Sequence, residues 1–188
     1  MHLNSTMTVV DHTGTIFFEQ GTILVHIPSG MHFPARIGRF DRLPRPTVYD
    51  RMGYNVSVGY DESAWVFKSR KAWVTVYVYP SAVISDTTAG SLDAEFLRAK
   101  SDLLRLSPDA TLVAESAASL TDSEGTVVGR QASFLLRAHG GMTTSEMHLF
   151  RRGVWVLKLR LSCRSSRRNA NESRSAEFLK MLGCPRGT

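Results

Sequence analysis

The alternation of apolar and polar positions is strongest at Ala72-Trp73-Val74-Thr75-Val76-Tyr77-Val78-Tyr79, which Pro80 closes. Side chains of a strand point alternately to its two faces. Ala72, Val74, Val76 and Val78 therefore share one face, and Trp73, Thr75, Tyr77 and Tyr79 the other. Both sets suit burial, so this run predicts a central strand covered on both sides.

Before it, residues 15–18 and 22–27 flank Gly21 and predict a short hairpin in which Gly21 takes a positive φ. Residues 32–40 read as a loop punctuated by Pro34 and Gly38 and anchored by Phe33, Ile37 and Phe40. A short strand is expected at 47–50, then a longer one over 54–60, with Tyr54, Val56, Val58 and Tyr60 on one face. Residues 64–67 continue it, and Lys68 to Lys71 turn the chain into the central strand.

After it, Leu92, Phe96, Ala99, Leu103 and Leu106 recur at helical spacing and predict a helix over 91–106. Ser91 is its expected cap, Asp93 and Glu95 sit near its positive end, and Pro108 stops it. Strands follow at 111–120, 126–137, 145–150 and 154–162. For the last pair, a three-residue loop Arg151-Arg152-Gly153 sets Glu146 opposite Lys158 and Leu149 opposite Trp155. That register gathers Met147, Leu149, Trp155, Leu157, Leu159 and Leu161 on one face, and Glu146, His148, Lys158 and Arg160 on the other. A closing helix spans 169–182, with Asn169 and Glu172 as a capping box and Gly183 as its C-terminal cap.

The elements add up to an α+β protein with an antiparallel sheet of about six to eight strands. Residues 1–13 form a polar tail and 14–188 a single domain. The hydrophobic share of 43% and charged share of 21% suit a soluble globular chain. No apolar run is long enough to span a bilayer, and the N-terminal residues show no signal peptide. A cytoplasmic protein is expected, or a periplasmic one if the chain is a processed form. The net charge of +6 raises nucleic-acid binding, but the arginines are dispersed rather than striped. Cys163 and Cys184 lack metal-site spacing and are expected to be reduced structural thiols.

In order along the chain, Phe33-Pro34, Ile37 to Phe40, Tyr54 to Tyr60, Val74 to Tyr79, Glu95-Phe96, Gly129 to Ala132 and Ser145 to Phe150 resemble uncharacterised bacterial proteins of the PsbP-like fold. That superfamily includes the photosystem subunit PsbP and a small eukaryotic factor that binds the Ran GTPase. The resemblance spans residues 14–184 and implies an antiparallel sheet with helices on both faces, an α/β/α sandwich. It implies a binding or accessory role through protein–protein contacts, and carries over no site residue, cofactor or named partner.

Chemistry is sparse. No GxSxG, HExxH or phosphate loop is present, so no catalytic, cofactor or metal residue is assigned. Glu146 and His148, two apart on one strand, suit acid–base work in a small hydrolase or ligand-modifying enzyme; cross-strand pairing of Glu146 with Lys158 is the plainer reading. Trp73, Thr75, Tyr77 and Tyr79 can line an aromatic groove with Gln131, Ser133, Arg137, Lys158 and Arg160, or lie beneath a helix. The arginines over 36–45 suit an acidic partner or plain solvation. The expected function is that of a non-enzymatic binding protein with a protein partner, the alternatives being the Glu146/His148 enzyme and a basic nucleic-acid-binding domain.

Overall fold

The computed structural model describes residues 16–62, 72–81, 89–138, 141–164 and 169–185. In chain order the strands are β1 (Phe17–Gln20), β2 (Ile23–His26), β3 (Met31–Pro34), β4 (Arg36–Ile37), β5 (Phe40–Arg42), β6 (Thr47–Val48), β7 (Val56–Glu62) and β8 (Ala72–Pro80). Helix α1 (Ala89–Leu106) precedes β9 (Thr111–Asp122), β10 (Gly125–Ala138), β11 (Gly141–Arg152) and β12 (Trp155–Arg164), and α2 (Asn169–Leu182) closes the chain. The expected tail 1–13 and strand 64–67 lie outside the described residues.

The protein is mostly β. A nine-stranded sheet runs β4-β5-β7-β8-β12-β11-β10-β9 with β6 beside β7, and a second sheet holds β1-β2-β3. The pairs are antiparallel, and β8 stands in the interior of the large sheet, between β7 and β12. The large sheet thus exceeds the expected six to eight strands. Residues 32–40, read as a loop, form β3, β4 and the start of β5. Pro34 and Gly38 punctuate strands too short for a periodic signal.

Two apolar clusters divide the faces. One joins Val74, Val76 and Val78 of β8 to Leu157, Leu159 and Leu161 of β12, with Phe178, Leu179 and Leu182 of α2 and Phe17 and Phe33 of the small sheet. The other joins Phe96, Ala99 and Leu103 of α1 to Ala132, Phe134, Met147, Leu149 and Val156. Phe178 meets Phe40 and Tyr60 edge-on, with centroids at 5.4 and 5.1 Å, and so anchors α2. In place of the expected α/β/α sandwich, the described architecture is an α+β arrangement in which a small sheet shares the covering with two helices.

The β11–β12 register corrects the expected one. Arg152 pairs with Trp155, which leaves a two-residue loop, Gly153-Val154, with Gly153 at φ 57°. Glu146 faces Leu161, His148 faces Leu159 and Leu149 faces Lys158. The expected register assumed one wet face and collected every charge there. Both faces are covered, so Glu146 and His148 lie with Leu159 and Leu161, while Lys158 and Arg160 alternate to the side of Met147, Leu149 and α1.

Helix α1 begins at Ala89, so Ser91 lies inside it and no acidic residue stands in its first turn. Asp93 instead pairs with Arg130 at 3.2 Å, and Glu95 accepts from Arg98 at 2.6 Å. Gly183, at φ 74°, caps α2 as expected, and its N–H donates to the Leu179 carbonyl at 3.2 Å.

Candidate functional site

The alternation of β8 and β12 sends two sets of candidate residues to opposite sides of the sheet. On the α1 side, Lys158 lies directly across from Tyr77. Its ammonium stands 4.3 Å from the Tyr77 centroid and 5.8 Å from that of Tyr79. Tyr49 stacks on Tyr77 with centroids 6.3 Å apart and donates to or accepts from Ser57 Oγ at 3.1 Å. These rings line an open groove of about 660 Å³ that Asn55 and the α1 residues Arg98, Asp102, Arg105 and Leu106 complete. Burial pushes the Lys158 ammonium below its ordinary pKa, with Asp102 opposing the shift. Burial raises the Tyr77 and Tyr79 hydroxyls. No carboxylate among the described residues pairs with Lys158, so its charge remains available to an acidic ligand.

Arg160 lies farther along the same face, opposite Thr75, and its Nε donates to Ser145 Oγ at 3.1 Å. Burial lowers its pKa, and Tyr77 opposes the shift. Trp73 pairs with Ser162 at the far end of the strand and does not line the groove.

On the α2 side, Glu146 and His148 are buried in a cavity of about 220 Å³ that Gln131, Ala132, Ser133, Ser175 and Ala176 also line. The Ser175 hydroxyl donates to Glu146 Oε2 at 2.6 Å. His148 Nε2 lies 3.5 Å from the same oxygen and stacks its ring on Phe150, centroids 6.4 Å apart. Gln131 and Ser133, expected beside the tyrosines, belong to this cavity, and Arg137 is exposed four residues beyond Ser133 on β10. The expected Glu146–Lys158 pair does not form, because an odd register offset puts the two on opposite faces.

In the cavity the Ser175 hydroxyl gives its proton to Glu146 rather than to His148. The described residues hold no cluster of His, Cys, Asp or Glu suited to a metal ion. Much of the basic charge is paired: Arg39 and Arg174 with Glu62, Arg42 with Glu19, Arg36 with Asp41, Lys100 with Glu115, and Arg152 with Asp122 and Glu124. That pairing includes three of the four arginines over 36–45. Cys163 and Cys184 form no disulfide among the described residues.

Sequence reasoning missed Tyr49 and the α1 wall of the groove. Arg98, Asp102 and Arg105 did carry a signal, since spacings of four and three residues set them on one helix face. Tyr49 gave none, because its approach to Tyr77 depends on the tertiary path of residues 49–55.

No family model and no curated protein matches the chain. Among solved structures it is similar to PA94 from Pseudomonas aeruginosa, a protein of unknown function put forward as a regulator. The TM-score is 0.43 and the identity 14%, over 77% of this chain and 99% of that one. Among the described residues no helix is long and apolar enough to cross a membrane.

Proposed function

We propose that this chain is a non-enzymatic binding protein that takes an acidic segment of a protein partner in the groove between α1 and the tyrosine face of β8. The observation that carries this reading is the Lys158 ammonium, held over Tyr77 within a groove that Arg98 and Arg105 border. Arg98 and Arg105 are paired with Glu95 and Asp102, so Lys158 beside the aromatic faces is the cation that favours a carboxylate-rich, extended ligand, and a groove of about 660 Å³ admits a few of its side chains. The resemblance of residues 14–184 to the PsbP-like fold supports an accessory role of the same kind. A cytoplasmic setting goes with that reading.

The test is fluorescence anisotropy with a labelled Asp/Glu-rich peptide, repeated over a salt series. Saturable binding that weakens with salt and falls at least about tenfold in Lys158→Met supports the proposal. Absence of binding, or equal binding by Lys158→Met, overturns it. Stronger retention of single-stranded nucleic acid than of the peptide also overturns it, in favour of the basic-domain reading.

A further inference from the structure

We propose that the cavity between α2 and the β10–β11 pair is a binding site for a small primary amine in its protonated form. The Glu146 carboxylate is buried to 6% exposure, yet among the described residues no lysine or arginine lines the cavity around it. An ionised carboxylate taken out of water without a counter-charge is costly. Ser175 supplies one hydrogen bond, at 2.6 Å, and a carboxylate accepts several.

The second observation is His148. It too is 6% exposed and lines the cavity, and its Nε2 has no hydrogen-bond partner. At 3.5 Å from Glu146 Oε2 it is too far for a good hydrogen bond. Buried polar atoms are nearly always satisfied, so an orphan nitrogen beside an unpaired carboxylate points to a group that belongs between them. With its proton on Nδ1, the ring presents a lone pair at Nε2. An ammonium has three N–H donors. Glu146, His148 Nε2 and the Ser133 hydroxyl on the same wall offer three acceptors.

Size and lining narrow the class. At roughly 30 Å³ per water the cavity holds about seven waters, enough for a short aliphatic amine. Ala176 gives the carbon chain a methyl wall, whereas Ala132 turns its own methyl to the α1 side of the sheet. A quaternary ammonium has no N–H for these acceptors, and no aromatic cage among the described residues surrounds the site to replace them. A carboxylic acid would meet Glu146 with like charge.

The experiment is NMR titration of the full chain with n-butylamine, reading the His148 ring and the Ser175 amide. Tetramethylammonium and butyrate serve as controls. A capped lysine serves as a second amine that separates a free ligand from a side chain on a partner. Saturable shifts at both positions at millimolar n-butylamine, absent with both controls, support the site. Glu146→Gln is expected to weaken binding by roughly 10- to 100-fold, the loss of one charge-assisted hydrogen bond. Flat titrations, equal shifts with tetramethylammonium or butyrate, or undiminished binding by folded Glu146→Gln overturn it. If Glu146→Gln does not fold, the contrast between amine and controls on the wild-type chain decides.

Discussion

Lys158 and Tyr77 are direct cross-strand partners of β12 and β8, and the ammonium of one stands 4.3 Å from the ring centroid of the other. Two terms oppose each other there. Burial disfavours the charge and lowers the Lys158 pKa, while the faces of Tyr77 and Tyr79 favour it. Lys158→Met keeps the apolar stem against Tyr77 and Tyr79 while removing the charge. Its stability is expected to stay within about 1 kcal/mol of wild type by urea denaturation, while acidic-peptide binding falls at least about tenfold. A loss of several kcal/mol would mark Lys158 as a structural residue instead.

His26 makes the fold sensitive to mild acid. Its Nε2 donates to the Gly53 carbonyl at 2.7 Å, so Nδ1 accepts from Ser29 Oγ, also at 2.7 Å. A proton on Nδ1 would reverse that second bond and deprive the Ser29 hydroxyl proton of its acceptor, and burial lowers the pKa below its ordinary value, with the Gly53 hydrogen bond and Asp50 opposing. The folded state therefore binds this proton less readily than the unfolded chain. The contribution is intact above the unfolded pKa of about 6.5, and it is lost as pH falls from there through the folded pKa. Thermal scans between neutral and mildly acidic pH are expected to show the midpoint dropping in that window. His26→Gln should flatten the slope while costing about 1–3 kcal/mol at neutral pH.

How much of this was legible follows from what covers each strand. The central strand was readable because eight consecutive residues, Ala72 to Tyr79, keep strict alternation. Helix α2 and the cap at Gly183 were readable because capping depends on local sequence. The β11–β12 register was not. A residue such as His148 looks polar on paper, and nothing local says that Ser175, far along the chain, will close over it. Tyr77, Tyr79 and Lys158 were correctly linked, since an apolar-aromatic strand face recruits whatever its partner strand presents. Gln131 and Ser133 were assigned to the wrong side because they pair with His148 and Glu146 and so share the face that the β11–β12 slip misplaced.

Asp122 ties the end of α2 to the sheet. Its carboxylate accepts from Arg152 at 2.9 and 3.0 Å and from the Cys184 N–H at 3.0 Å. Burial pushes this carboxyl up, but hydrogen bonds from Arg152, Glu124 and Cys184 outweigh it and hold it below the usual range. Next to it, burial pushes the Cys184 thiol up to about 12, so the native thiol is unreactive. Asp122→Ala is expected to cost about 1–3 kcal/mol and to release the segment after Gly183. Reaction of Cys184 with an aromatic disulfide reagent should then accelerate at least about tenfold, with Cys163→Ser in the background to isolate the signal. An unchanged rate would show that packing, not Asp122, holds the segment.

Gly129 bears on the amine site through packing alone. It faces Phe150 across β10 and β11, and a Cβ there would run into the Phe150 ring and lie 2.5 Å from the Leu149 carbonyl oxygen. Backbone cannot yield as a flexible side-chain tip can, so Gly129→Ala is expected to destabilise by about 1–3 kcal/mol. Phe150 moves first, and the His148 ring stacked on it at 9° must tilt with it. The variant should therefore shift the His148 ring resonances and weaken n-butylamine binding, although Gly129 does not line the cavity. Phe150→Leu in the same chain opens space for the new methyl and is expected to recover part of the stability while leaving His148 without its stacking partner. Urea denaturation and the His148 ring shifts, measured on both variants, separate the two effects. Recovery of stability without recovery of binding is the outcome that ties the cavity's geometry to Phe150.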